Sequence, residues 1–431
     1  MKRRTFIKGT VAAVGASSLL PVCAGTHLLQ GCSGPEPASS WDFDEVIDRS
    51  GTWSIKYGRS GESRFAMWIA DMDFRTDPVV RHALQERLDR DVMGYTSTPE
   101  EFFEAIRSWE GRQHKWDIPR EWVGYAPGVI TAINQAYLTF TQPGDKIIVQ
   151  PPVYDHFRMY AEHLGREVVD NPLVFENGRY RMDFEGLESL FDEKTKMLVL
   201  CNPHNPCGIL WDKDTLSQLA DICEKHGVIV ISDEIHADLA LYGRTHIPFC
   251  SVSEAAARVG MIFSGPTKSF NLAGISGTAF CVIPDKEKRE RYIGALKAAK
   301  LYEPSIPTII STIAAYNSDS GWLPALKEYL QGNIDYVMEF FSENAMGIAP
   351  IKPEASFLVW LDCRGLELPQ EELLTLFRDK AGVFLSNRAT YGTGGEGFVR
   401  LNIGCPRSVL KGALDSIKTA FSGFNSGSRT Q

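Results

Sequence analysis

Val228-Ile229-Val230-Ile231-Ser232-Asp233 sets four β-branched aliphatic residues in a row and closes on an acid. The run is too short for a buried helix, and β-branched side chains favour a strand covered on both faces. Runs of the same kind recur on either side. Lys146-Ile147-Ile148-Val149 and Lys196 to Cys201 (KMLVLC) precede it; Gly260 to Ser264 (GMIFS) and Gly277 to Ile283 (GTAFCVI) follow. A helix follows the PPVYDHF turn, and Asp214 to His226 reads as an amphipathic helix. Apolar strands separated by helices predict an α/β fold, a mainly parallel sheet with helices on both faces. Ligands then bind beyond the carboxyl ends of the strands. After about residue 300 helices dominate, until Ser356 to Asp362 (SFLVWLD) reads as a strand and a last helix ends near Phe421. The change predicts a large domain over residues 81–300 and a smaller α+β domain built from 41–80 and 301–425. No internal repeat is present.

Polar residues stand where the apolar runs stop. Asp233 needs a cationic partner, because a carboxylate at the end of a buried strand is costly alone. Lys268 lies in the turn SGPTKSFN, 35 residues after Asp233 and one strand on. A desolvated lysine has a lowered pKa and serves as nucleophile and then as base. Asn205 in CNPHNPCG offers an amide to a ring hydroxyl. Arg400, between apolar residues in GFVRLNIGCP, needs an anion, and a bidentate grip on a carboxylate fits. In this order the four describe a pocket for pyridoxal 5'-phosphate (PLP) and an amino acid. The lysine forms an imine with the aldehyde, and the aspartate keeps the pyridine nitrogen protonated.

Further residues join this reading. Gly128, Val129 and Ile130 open an amphipathic helix, Thr131 to Phe140, whose N-terminus suits a phosphate. Ser264 and Thr267 are candidate phosphate ligands. Tyr154 in PVYDHF is placed to stack on the pyridine ring, and His236 either lies near the ring oxygen or packs. Each has a plainer reading by itself: a helix cap, a tethered tyrosine, an internal ion pair at Asp233 or Arg400, a surface loop at Lys268. The combination favours the cofactor.

These motifs, with WIADMDF (68–74), MGYTS (93–97), ISDEIHADL and THIPF, resemble the fold-type-I PLP-dependent enzymes of the aspartate aminotransferase superfamily. Within it they are similar to the MalY/PatB-type cystathionine β-lyase branch, over about residues 41–420. The resemblance implies a seven-stranded major-domain sheet and a homodimer with shared active sites. It also implies that Tyr95 reaches the phosphate or substrate of the neighbouring subunit. Asp71 and Asp73 fall near the entrance, with no catalytic role assigned. Two departures stand out: Cys207 replaces the usual threonine, and Asn387-Arg388 replaces a Pro-Gly in a segment, Ser386 to Gly395, that contacts substrate in the family. The branch implies α,β-elimination from a sulfur amino acid, giving pyruvate, ammonia and a thiol, with Lys268 taking the α-proton. An aminotransferase is the alternative, with Arg388 a candidate second arginine for a dicarboxylate. A non-catalytic binding protein is a third reading, opposed by the intact Lys268, Asp233, Asn205 and Arg400.

The 431 residues are 44% hydrophobic and 23% charged, an ordinary globular balance, with net charge −9. No basic tract follows residue 8, which argues against nucleic acid as the main partner. Lys2-Arg3-Arg4-Thr5-Phe6-Ile7-Lys8 resembles a twin-arginine signal, and Gly9 to Val22 is too short to span a bilayer. Leu29-Gln30-Gly31-Cys32 is similar to a lipobox, with Cys32 the candidate lipidated residue; cleavage after Ala24 is the alternative. Residues 1–31 thus read as an export leader and 32–40 as a tether, placing the protein in the periplasm or lipid-anchored at the cell envelope. Loss of the leader removes four cations and no acids, taking the charge from −9 to −13. Of nine cysteines, Cys23 and Cys32 lie in the leader region; the other seven lack metal-ligand spacing and read mainly as core packing, with Cys201 and Cys207 the pair to examine for a bridge.

Overall fold

A computed structural model of the chain describes residues 41–386 and 391–422. The leader, Cys32, the tether, Asn387 and Arg388 lie outside the described residues. The five apolar runs become strands, and two further segments join them: β1 (Val123–Ala126), β2 (Lys146–Val149), β3 (Glu167–Asp170), β4 (Thr195–Cys201), β5 (Ile229–Asp233), β6 (Gly260–Ser264) and β7 (Ala279–Val282). They form one seven-stranded sheet in the order β1-β7-β6-β5-β4-β2-β3. Neighbours from β6 to β3 run parallel, while β7 is antiparallel to both β6 and β1. The 277–283 run is therefore the antiparallel member. β1 and β3 escape a search for apolar runs: β1 contains Gly124 and Tyr125, and β3 is an edge strand whose residues are half-buried or exposed.

Both faces of the sheet are covered. Ile147, Val149, Met197, Val199, Ile231, Met261 and Phe263 pack on one side with helices Val129–Phe140 and Lys286–Ala298. Ile148, Leu198, Leu200, Val230 and Ile262 pack on the other with helix Lys213–Lys225. The alternation is that of a pleated strand with an apolar layer on each side. Ile231 has no solvent exposure, and its truncation to alanine would cost about 2–5 kcal/mol.

The register levels the strand ends. Cys201 lies opposite Asp233, and Asp233 opposite Phe263. The loop after β4, the end of β5 and the turn after β6 thus share one rim.

The C-terminal part supplies a second sheet, antiparallel: β8 (Ala349–Ile351), β9 (Leu358–Asp362) and β10 (Phe398–Asn402). Arg400 sits mid-strand opposite Trp360, whose indole stacks on Phe398 at 5.3 Å. Residues 65–74 are laced between this sheet and the main rim. Phe65–Ala66 pairs with Val383–Phe384. Asn402 Nδ2 donates to the carbonyls of Ile69 and Asp71, and Asn271 Nδ2 to those of Met72 and Phe74. The seven described cysteines are free and buried, so Cys201 and Cys207 are not bridged.

Candidate active site

The rim gathers residues from four places in the sequence. Asp233 ends β5, is 5% exposed, and accepts a hydrogen bond from the Ile235 N–H at 3.1 Å. Among the described residues no cation lies in ion-pair contact with it. Burial pushes its carboxyl up to about 7, against the pull of the Ile235 N–H and Lys268. Lys268 follows β6 and donates from Nζ to the carbonyl of Ala70 at 2.6 Å. Burial, then the Arg400 guanidinium, brings its ammonium down to about 8, while Asp71 and Asp233 oppose the fall.

Arg400 is 4% exposed. Its Nη1 donates to Asn205 Oδ1 at 2.9 Å, and its Nη2 to the Trp68 carbonyl at 2.7 Å and Ser386 Oγ at 3.1 Å. All three acceptors are neutral, and Nε is buried without a partner among the described residues. Among the described residues no carboxylate pairs with this guanidinium, so the plainer reading of an internal salt bridge does not hold. A guanidinium only donates, so the amide of Asn205 must turn its oxygen toward Arg400. Its Nδ2 hydrogens remain for another acceptor.

The surrounding residues complete the cup. Tyr154 stacks on His156 at 4.6 Å and 10°, and meets Phe157 edge-on, so its ring plane is set by the first turn of the helix that follows it, His156–His163. Buried His236 shares its Nδ1 with Ser356 Oγ at 3.0 Å. Burial, then Lys268 and Arg400, pushes its imidazole well below the usual range and keeps it neutral. Ser356 adopts φ +76, a strained backbone for a side-chain residue. Gly128, at φ +98, caps helix Val129–Phe140 without a side-chain bond, leaving its first N–H groups open. Val129 and Ile130 form its first turn.

Ser264 and Thr267 are found otherwise engaged. The Ser264 hydroxyl donates to the Glu234 carbonyl at 2.9 Å, and that of Thr267 to the Thr278 carbonyl at 3.0 Å. Tyr95 is fully exposed and stands apart from this group. Asp73 pairs with buried Lys56 at 2.7 Å, and Asp71 with the same lysine at 3.5 Å. The acids of WIADMDF thus belong to a local ion-pair cluster. What that segment brings to the site is backbone, the carbonyls of Trp68 and Ala70, and side-chain reasoning missed it. Ser356 and Tyr391, whose ring lies 5.4 Å from the Arg400 guanidinium carbon, were also missed.

A lone buried carboxylate, a lysine with a depressed pKa, an amide with free donors, an arginine lacking an anion and an open helix N-terminus fit PLP and an amino acid. Residues 68–417 match the family model for aminotransferase class I and II. The chain belongs to that family. Within the family it is 39% identical to the cystathionine β-lyase PatB of Bacillus subtilis, covering 88% of this chain and 100% of PatB. It is 35% identical to the protein MalY of Escherichia coli over 86% of this chain and 96% of MalY. Among solved members, cystalysin of Treponema denticola, which contains PLP, superposes with a TM-score of 0.85 at 31% identity, covering 89% of this chain and 99% of cystalysin.

Proposed function

We propose that this protein is a PLP-dependent carbon–sulfur β-lyase acting on cystathionine or related cysteine S-conjugates. The observation that carries the reading is the isolated pair of opposite needs at one rim. Among the described residues Asp233 lacks a cation and Arg400 lacks an anion, and full-length likeness to a cystathionine β-lyase supports the substrate class. When bound, PLP supplies an electrophilic aldehyde and a ring that accepts electrons from the substrate α-carbon.

The chain's own residues do the rest. Asp233 would hold a proton on the ring nitrogen, and that ion pair would relieve the cost of its burial. Asn205 Nδ2 would donate to the ring oxygen. The first N–H groups of helix Val129–Phe140 would hold the phosphate, and Tyr154 would cover the ring. Arg400 grips the substrate carboxylate with two donors. Lys268, freed as an amine, takes the α-proton at Nζ, which its depressed pKa allows near neutrality. A thiolate then leaves the β-carbon, and water completes the products: pyruvate, ammonia and a thiol.

Cystathionine given to the purified protein without any keto acid should yield pyruvate and free thiol. Product formation strictly dependent on an added keto acid would replace this reading with transamination. Borohydride reduction of the native holoenzyme should fix the cofactor to Lys268.

We also propose a homodimer that borrows Tyr95 across the interface, a reading supported by the neighbouring exposed Val92 and Met93. A fully active monomer in solution would refute it. Export through the twin-arginine-like leader, with lipid anchoring at Cys32, rests on residues 2–32 alone; mass analysis of the mature N-terminus tests both.

A further inference from the structure

The two residues that contact the reacting system from the main rim, Asp233 and Lys268, are each followed by a residue buried in the same polar network. Ser269 follows Lys268, has no solvent exposure, and donates from Oγ to Asp238 Oδ2 at 2.8 Å. Asp238 Oδ1 accepts from Trp109 Nε1 at 2.8 Å and meets His114 Nε2 at 3.1 Å. The His114 ring lies edge-on to His246 at 5.2 Å. His246 Nε2 bonds Glu234 Oε2 at 2.7 Å, and Glu234, which follows Asp233, also accepts from Ser232 Oγ at 2.7 Å and the Phe249 N–H at 2.9 Å. Every one of these polar side chains is buried, and the Nδ1 atoms of His114 and His246 have no partner among the described residues.

Such a network is a costly way to hold a fold. Burying an ionised carboxylate costs several kcal/mol before its bonds repay it, and apolar side chains of similar volume would stabilise as well or better. Asp238 stays ionised nonetheless. Burial alone would raise its carboxyl, but bonds from His114, Trp109 and Ser269 hold it below the ordinary range. Glu110, His114, Tyr316 and Lys327 are the other titratable groups acting around it. What the arrangement achieves is geometric: three elements, helix Glu100–Gln113, the loop after β5 and the turn after β6, are tied at one carboxylate. The charged groups acting directly on Lys268 are Arg400, Asp71 and Asp233, and Asp238 is not among them.

We propose that Asp238 is a positioning residue for Lys268: through Ser269 it clamps the turn that carries the lysine and so sets where the amine stands relative to Asp233 and Arg400. The proposal rests on the lyase reading, in which Lys268 carries the cofactor and then moves the α-proton. Loss of the clamp lets the turn relax outward, the lysine nitrogen gains water, and its protonation midpoint in the holoenzyme rises.

The test is a pH titration of the visible absorption band of the holoenzyme, with steady-state kinetics, for Ser269→Ala, Asp238→Asn and a control, Thr312→Val. Thr312 carries a buried hydroxyl without a partner, on helix Ile306–Asn317 and outside the network. Ser269→Ala and Asp238→Asn should each move the band midpoint upward and lower kcat about tenfold or more, with KM within about twofold; Thr312→Val should do neither. If Asp238→Asn does not fold, Ser269→Ala decides. An unmoved midpoint in a folded Ser269→Ala overturns the clamp while leaving the lyase reading intact. A wild-type protein that shows no visible band with PLP overturns the cofactor reading itself.

Discussion

Arg400 Nη1 donates to Asn205 Oδ1 at 2.9 Å, joining two residues 195 positions apart in sequence. The bond links the loop after β4 to the middle of β10, and so ties the main rim to the second sheet. It also orients both partners: the amide presents its N–H2 group, and the guanidinium keeps Nε and the remaining hydrogens free for an anion.

Replacing Arg400 should therefore do more than remove a charge. Arg400→Lys keeps the charge but loses the planar fork. The loss of charge-assisted bonds is worth about 2–3 kcal/mol, so kcat/KM for cystathionine should fall about 30- to 150-fold. Steady-state kinetics at saturating PLP would show it, and a loss under about threefold would remove Arg400 as the carboxylate grip.

Asp233 links cofactor binding to pH. Its folded-state pKa is raised, to about 7 from an ordinary 3.8. A carboxyl raised in this way favours the fold while protonated, and the cofactor-free protein loses that contribution as pH rises from about 4 through about 7. A cationic ring nitrogen restores it. The rise in melting temperature on adding PLP should be larger at pH 7.5 than at pH 5. Asp233→Asn should lose that extra increment, because its amide has no charge to bury.

Lys268 reacts as the free amine. With its pKa at about 8, capture of PLP by the cofactor-free protein should accelerate as pH rises and level off above about 8. Burial is the largest cause of the depression and Arg400 the second. Arg400→Gln should consequently move the midpoint of the rate profile upward; a midpoint that stayed in place would show that the guanidinium does not act on the amine.

Two glycines make a matched pair. At Gly128 an added methyl would find its nearest neighbour 4.0 Å away, so space is no obstacle, but φ is +98. Gly128→Ala should cost about 1–3 kcal/mol of stability and weaken PLP binding. Gly294, exposed within helix Lys286–Ala298, has open space and no such φ. Gly294→Ala should stabilise by about 0.5–1 kcal/mol with PLP affinity unchanged. Thermal melts and cofactor titrations of both variants check the contrast.

Buried thiols should be inert. Burial pushes Cys201 and Cys207 well above the ordinary range, so neither should be alkylated by iodoacetamide in the native protein, and reductant should leave the melting temperature unchanged. Quantitative labelling of either without unfolding would contradict their burial.

Much of the main sheet was legible because its strands are apolar on both faces and therefore stand out as runs. β1 and β3 were not, since one contains Gly124 and the other lies at a sheet edge with half-exposed residues. The antiparallel direction of β7 was likewise hidden, because hydrophobic content carries no sense of direction. Asp233, Lys268, Asn205 and Arg400 were legible as polar residues set in apolar surroundings. Ser264 and Thr267 show what a sequence leaves open: a hydroxyl near a strand end reads the same whatever its acceptor, and here the acceptors are the backbone carbonyls of Glu234 and Thr278.

The sequence by itself determined which residues carry needs that burial creates: an acid that needs a cation, an arginine that needs an anion, a lysine drawn out of water. Tertiary structure alone decided how those needs are shared. It turned Asn205 toward Arg400, gave Lys268 the carbonyl of Ala70 as its acceptor, committed Asp71 and Asp73 to Lys56, and drew Ser269 and Trp109 onto Asp238. The reason is physical: desolvation follows from a residue's type and its immediate apolar neighbours, whereas a hydrogen-bond partner is whatever group the fold brings within about 3 Å, however distant in the chain.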